Sequence, residues 1–189
     1  MGSSDSEEKD YAWGDVDNDG DTDLVVVRKQ PFTTTGARVN VLFMNEGIAD
    51  GQAVNGVLVD RTTQYASASD APGGDQGFDT ATNDRDVQLV DVDNDGWLDM
   101  VTAVTLADNQ ADRFRMPRVY MNLGESGGNW QGFQYQSARI TGFTGAPGNA
   151  SPRFCSVNAG DVTGDGYADL YFGDYDSGGS QIFDFNNRL

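Results

Sequence analysis

The sequence has no histidine and one cysteine, Cys155. The absence of imidazole removes the usual general base, every His-dependent triad and all imidazole metal ligands. A lone cysteine closes no intramolecular disulfide, and Cys155, set in Arg153-Phe154-Cys155-Ser156-Val157, reads as a small buried hydrophobe on a strand. No run of 18 apolar residues occurs, so nothing in the sequence reads as a membrane-spanning helix. Glutamate is scarce as well. The 30 acids are 26 Asp and 4 Glu, set against 12 Lys and Arg, for a net charge of −18. Such a surface repels nucleic-acid phosphates and anionic lipid, which makes both poor partners. With 38% apolar and 11% aromatic residues in 189, the chain has enough to form the core of an ordinary domain.

The aspartates are not scattered. Twelve of them lie in three copies of one loop: Asp15 to Asp23 (DVDNDGDTD), Asp91 to Asp99 (DVDNDGWLD) and Asp161 to Asp169 (DVTGDGYAD). Each copy has oxygen-bearing side chains at positions 1, 3, 5 and 9 and a glycine at position 6, followed at once by an apolar run. Alternating carboxylates around a glycine-permitted turn suit Ca²⁺, a hard cation that takes six to eight oxygen ligands. The expected side-chain ligands are Asp15, Asp17, Asp19 and Asp23 in the first loop, with the carbonyl of Asp21. In the second they are Asp91, Asp93, Asp95 and Asp99 with the carbonyl of Trp97, and in the third Asp161, Thr163, Asp165 and Asp169 with the carbonyl of Tyr167. Mg²⁺ prefers a tighter octahedron and fewer protein ligands, and an all-oxygen set disfavours metals that select thiolate or imidazole. The competing reading is a set of Asx-turns without metal, but turn formation alone does not require four oxygen donors at alternate positions.

The helix-loop-helix EF-hand opens with the same pattern but needs a bidentate Glu at position 12 and flanking helices. Position 12 here is Val26, Thr102 and Phe172, and the flanks are short and β-prone, so each loop joins two strands. On these residues the sequence resembles the FG-GAP or VCBS repeats of integrin-α-like β-propellers, which carry D-x-D-x-D-G-x-x-D between strands. Ala12 to Leu24 (AWGDVDNDGDTDL), followed by Leu42 to Gly47 (LFMNEG), is also similar to bacterial cartilage-acidic-protein-like and UnbV-like chains. The resemblance covers about residues 10 to 189. It implies an all-β fold of four-stranded antiparallel blades with calcium loops between the first two strands, and about three Ca²⁺, one per acidic loop.

Along the chain, residues 1–9 read as a disordered tail, 10–62 as a first blade, 63–83 as an inter-blade loop and 84–140 as a second blade. Residues 141–152 read as another loop and 153–189 as an incomplete third blade. The expected strands are Asp10 to Gly14, Leu24 to Arg28, Arg38 to Asn45 and Val57 to Arg61. In the second repeat they are Asp86 to Val90, Met100 to Thr105, Arg118 to Asn122 and Phe133 to Ile140. The third gives Phe154 to Asn158, Leu170 to Gly173 and Gln181 to Asn186. No helix is required. The asparagines that end the third strands, Asn45 and Asn122, are expected to support the following turn. Arg113, Arg115 and Arg118 around Phe114 read as surface ion-pairing groups, with an acidic sugar or a partner as the alternative. The sequon Asn149-Ala150-Ser151 reads as incidental.

Three blades are fewer than the four to eight of a closed ring, so further blades from a longer chain or from other chains are expected to complete it. The functional expectation is an extracellular binding or adhesion module for a protein or carbohydrate ligand, not an enzyme. The alternative is part of a propeller-type polysaccharide lyase or hydrolase. Carboxylates committed to Ca²⁺ stay ionised and cannot donate protons, which weighs against the alternative. The N-terminus has no apolar signal core, and a secreted, periplasmic or cell-surface location is expected because calcium is abundant there.

Overall fold

The computed structural model describes residues 7–29, 38–49, 52–53, 56–104, 116–140 and 154–174. The strand expected at Gln181 to Asn186, the loop at 141–152, Phe114, Arg113 and Arg115 lie outside them.

The described chain is built of mainly antiparallel sheets, and the three principal ones each contain a hairpin whose turn is one acidic loop. In the first sheet β1 (Glu7–Gly14) and β2 (Asp23–Lys29) form the hairpin, followed by β3 (Val41–Asn45), a two-residue hairpin of β4 (Ile48–Ala49) and β5 (Gln52–Ala53), and β6 (Leu58–Asp60), in the order β1-β2-β3-β6. Then come helix α1 (Thr62–Tyr65), strand β7 (Ala68–Ser69) and a 3-10 turn at Gly77–Asp79. The second sheet contains β8 (Asp84–Val90), β9 (Asp99–Val104) and β10 (Arg118–Asn122), then the small hairpin β11 (Glu125–Ser126) and β12 (Asn129–Trp130), and finally β13 (Phe133–Tyr135). The third described hairpin is β14 (Phe154–Gly160) with β15 (Asp169–Asp174).

Both faces of β2 and β9 are covered, which explains their uninterrupted apolar runs. In β2 only Arg28 is not buried, and β9 is buried throughout. Val25, Val27, Leu42 and Met44 of the first sheet pack on Val87, Met100, Tyr120 and Tyr135 of the second. The opposite face of the second sheet offers Val101, Ala103, Val119 and Met121 to Phe154, Val157, Leu170 and Phe172. Each such side chain removes apolar surface worth about 1.5–3 kcal/mol from water, so a charge at Val25 or Val101 would break a sheet-to-sheet contact.

The first strands carry the same irregularity at the same place: register shifts fall between Glu8 and Asp10, Asp84 and Asp86, and Phe154 and Ser156. These bulges re-aim the residue that follows. Asp10 Oδ2 accepts the Val87 N–H at 3.1 Å, and Asp86 Oδ2 accepts the Val157 N–H at 2.8 Å, so each carboxylate latches its sheet to the first strand of the next. Asn40 adds a second tie between the first two sheets, accepting the Arg28 N–H and donating to buried Asp84.

Several expectations need correction. Glu7 to Lys9 belong to β1 and pair with β2, so the first strand begins inside the expected tail. The segment expected as an inter-blade loop supplies α1, the 3-10 turn and β7, which pairs parallel to β13 as a fifth strand of the second sheet. In sequence the segment is small, polar and Gly-rich and reads as loop; two-residue strands and one-turn helices leave no periodicity to detect. The strand expected to Ile140 stops at Tyr135 and turns through Gln136–Arg139. Arg118 is not on the surface. It is fully buried, its Nη2 donates to both carboxylate oxygens of Asp75 at 2.7 and 2.9 Å, and its guanidinium lies 3.7 Å over the Tyr135 ring.

Candidate metal centre

The three loops share one backbone path. Position 6 is left-handed in each, with φ of 98° at Gly20, 91° at Gly96 and 91° at Gly166, a conformation that favours glycine. Position 4 is left-handed too: Asn18 at 57°, Asn94 at 60° and Gly164 at 76°. Asparagine tolerates this conformation better than most residues, so the Asn-Asp-Gly run carries a backbone reason as well as a charge reason.

This path folds the loop around its first carboxylate. Asp15 Oδ1 and Oδ2 accept the N–H groups of Asp19 and Gly20, Asp91 accepts those of Asp95 and Gly96, and Asp161 accepts those of Gly164, Asp165 and Gly166. Position 5 repeats the device on a smaller scale, with Asp19, Asp95 and Asp165 accepting the N–H of Asp21, Trp97 and Tyr167.

The last aspartate ties each loop to its sheet. Asp23 accepts from the Val16 N–H at 3.0 Å and the Asn45 N–H at 2.9 Å, and Asp99 accepts from the Val92 N–H at 2.9 Å and the Asn122 N–H at 2.7 Å. Asp169 accepts from Val162 and Thr163. Asn122 extends this tie. Its side-chain NH₂ reaches the carbonyls of Val16 in the first loop and Leu98 in the second, while its Oδ1 accepts from Gly124 and Trp130. The turn support expected of Asn122 is therefore present, and it also joins two loops. Asn94 connects the second loop to the third through the Gly166 carbonyl at 2.5 Å.

Carboxylates converge in two loops. Oxygens of Asp15, Asp17 and Asp19 lie within 4.8 Å of one another, as do those of Asp91, Asp93 and Asp99. Asp23 stands outside the first triad and Asp95 outside the second. Among the described residues the third loop, with Thr163 at position 3, forms no such triad, and its residues from Asp161 to Tyr167 are exposed.

The electrostatics of the first two loops fit a cation. Burial, then the charge of Asp19, pushes Asp17 up to about 6, with Asp15 and Asp21 adding repulsion. Burial pushes Asp23 and Asp99 up to about 6 against the lowering effect of their backbone hydrogen bonds. Asp21 Oδ1 and Asp93 Oδ1 are buried oxygens without a hydrogen-bond partner. Orphaned carboxylate oxygens beside converging carboxylates are the donor set a hard divalent cation satisfies. Asp15, Asp17 and Asp19 are placed to hold it in the first loop, and Asp91, Asp93 and Asp99 in the second.

Two contacts near the site carry no mark in the sequence. One is Arg139 Nη2, which reaches Asp93 Oδ2 at 3.4 Å. The other is Gly124 at φ 62°, where a Cβ would stand 3.1 Å from Trp97 Nε1, so the turn after Asn122 packs under the tryptophan of the second loop.

No curated protein matches the chain. Residues 91–172, which contain the second and third acidic loops and the sheet residues between them, match the family described as the FG-GAP-like repeat.

Proposed function

We propose that the chain is a calcium-binding β-propeller module whose loops bind a protein or carbohydrate ligand outside the cell. The observation that carries the calcium reading is the convergence of three carboxylates within 4.8 Å in each of the first two loops, next to the orphaned oxygens of Asp21 and Asp93. An ion there neutralises carboxylates that burial and mutual repulsion disfavour, and it stiffens a turn that joins two strands. The third loop takes the weakest ion, with three carboxylates in place of four. The oxygens favour Ca²⁺ over Mg²⁺ because several protein donors from one loop suit its larger and less regular coordination shell. Stiffened loops then present a rigid surface for recognition, while carboxylates committed to a cation supply no proton donor, which favours binding over hydrolysis or elimination.

The propeller reading is supported by repetition of the sheet-to-sheet contact. Val16 and Val25 of the first sheet are fully buried against the second, whereas the corresponding residues of the third hairpin, Val162 and Tyr171, are 84% and 55% exposed. A further blade of the same repeat fits that face, offering apolar side chains where the second sheet offers Val87 and Met100. Calorimetric titration with CaCl₂ tests the function: wild type should bind Ca²⁺ at the first two loops with sub-millimolar affinity, and Asp17→Ala and Asp93→Ala should each remove one site. Absence of binding heat at millimolar Ca²⁺, or titrations unchanged by either substitution, would sink the reading.

A further inference from the structure

We infer that Arg139 is a built-in counter-cation of the second acidic loop and holds its affinity for divalent cations below that of the first; this rests on the calcium reading above. After the last main strand of the first two sheets the chain makes the same turn, the Gln64 N–H donating to the Arg61 carbonyl at 3.0 Å and the Arg139 N–H to the Gln136 carbonyl at 3.2 Å. The residue that completes the turn is a neutral glutamine in the first sheet and an arginine in the second. Gln136 Oε1 accepts from Arg139 Nε at 2.8 Å and aims the guanidinium, whose Nη2 reaches Asp93 Oδ2 at 3.4 Å. The other oxygen, Asp93 Oδ1, is buried and unpartnered.

The guanidinium therefore neutralises one member of the converging Asp91, Asp93 and Asp99 triad. A divalent ion entering the triad meets the positive charge of Arg139 beside Asp93, and the repulsion between a double and a single charge weakens binding. At the high effective dielectric of a half-exposed site it amounts to about tenfold in affinity. The pair itself is 40% and 33% exposed at its side chains, so it adds little to the stability of the ion-free fold. Its effect falls on the ion.

The test uses Tb³⁺ and Ca²⁺ on the full chain. Trp97 stands at position 7 of the second loop and sensitises Tb³⁺ bound there; an Asp17→Ala background empties the first loop, which Trp13 adjoins and to which Asn122 ties Trp130. Arg139→Gln, which installs the residue of the first sheet, should tighten Tb³⁺ binding, and the Ca²⁺ dissociation constant obtained from its displacement should fall by about tenfold. Arg139→Lys should stay near wild type because it keeps the charge, and the melting temperature in chelator should be unchanged by either. Equal or weaker binding in Arg139→Gln overturns the inference and makes the arginine a positioning residue for Asp93. If neither wild type nor variant shows Trp97-sensitised emission while the protein remains folded, the calcium reading of this loop fails and takes the inference with it.

Discussion

Removal of the Asp75 carboxylate is expected to be among the most damaging single changes to the second sheet. Asp75 and Arg118 have side chains 2% and 0% exposed, and both Asp75 oxygens accept from the same guanidinium nitrogen. Asp75 Oδ1 also accepts the Gly77 N–H at 2.9 Å, in a turn where a Cβ on Gly77 would lie 2.5 Å from the Ala66 carbonyl. Asp75→Ala therefore leaves a charged guanidinium buried without its counter-charge, and Arg118 Nε and Nη1 already have no partner. Breaking a buried pair on one side costs about 3–5 kcal/mol. For a chain of this length each kcal/mol moves the melting temperature by about 2–4 °C, so a fall of roughly 6–20 °C is expected. Urea unfolding followed by tryptophan fluorescence, in saturating Ca²⁺ and in chelator, measures it. The double variant Asp75→Leu, Arg118→Met replaces both partners by apolar groups and should recover most of the loss. A cost below about 1 kcal/mol for Asp75→Ala, or a double variant as unstable as the two single changes added together, would refute the idea that this pair clamps the 70–80 segment to the sheet.

Ca²⁺ should raise the melting temperature and chelator should lower it, since occupancy of one site at about 100 times its dissociation constant adds roughly 2.7 kcal/mol; equal melting in both conditions would contradict metal-coupled folding. Burial and a hydrogen bond with Asp10 push Asp86 up to about 6, so the folded state holds this proton more tightly than the unfolded chain. That contribution to stability is present at low pH and is lost as pH rises from about 4 to 6. In chelator the protein should accordingly be more stable at pH 5 than at pH 7, and Asp86→Asn should reduce the difference; denaturation curves at the two pH values decide it. Apparent calcium affinity should run the other way, falling below pH 6 as protons compete for Asp17, Asp23 and Asp99, each raised to about 6. Thr163→Asp should strengthen metal binding at the third loop by restoring the fourth carboxylate, and a weaker site there would break the charge-count argument.

The loops were legible in the sequence because their chemistry is local: alternate aspartates, a left-handed Asn or Gly, a left-handed Gly and an apolar strand all fall within about a dozen residues. The hairpins around them followed from the same signals, and β2 and β9 begin with the last aspartate of their loops. What local pattern could not show is long-range. The latches from Asp10 to Val87 and from Asp86 to Val157 look in sequence like ordinary strand aspartates. Arg118 sits among charged residues in the chain yet ends up under Tyr135, because its partner Asp75 arrives from a segment with no strand signal. Arg139 meets Asp93 only after the strand shortens at Tyr135 and the chain turns back. In sequence the aspartates at position 9 read simply as ligands, but the structure gives Asp23 and Asp99 a second task, pinning the loop to the third strand through Asn45 and Asn122.

Counting the ions is the most direct trial of the account. Native mass spectrometry of the intact chain in calcium acetate should resolve discrete added Ca²⁺, with two retained as calcium is lowered and a third, from the loop of Asp161 and Thr163, lost first. Asp15→Ala and Asp91→Ala should each delete one of the two retained ions. A protein that stays folded and carries no calcium at millimolar concentration, or that keeps the same count in both variants, would contradict the assignment of these acidic loops as metal sites.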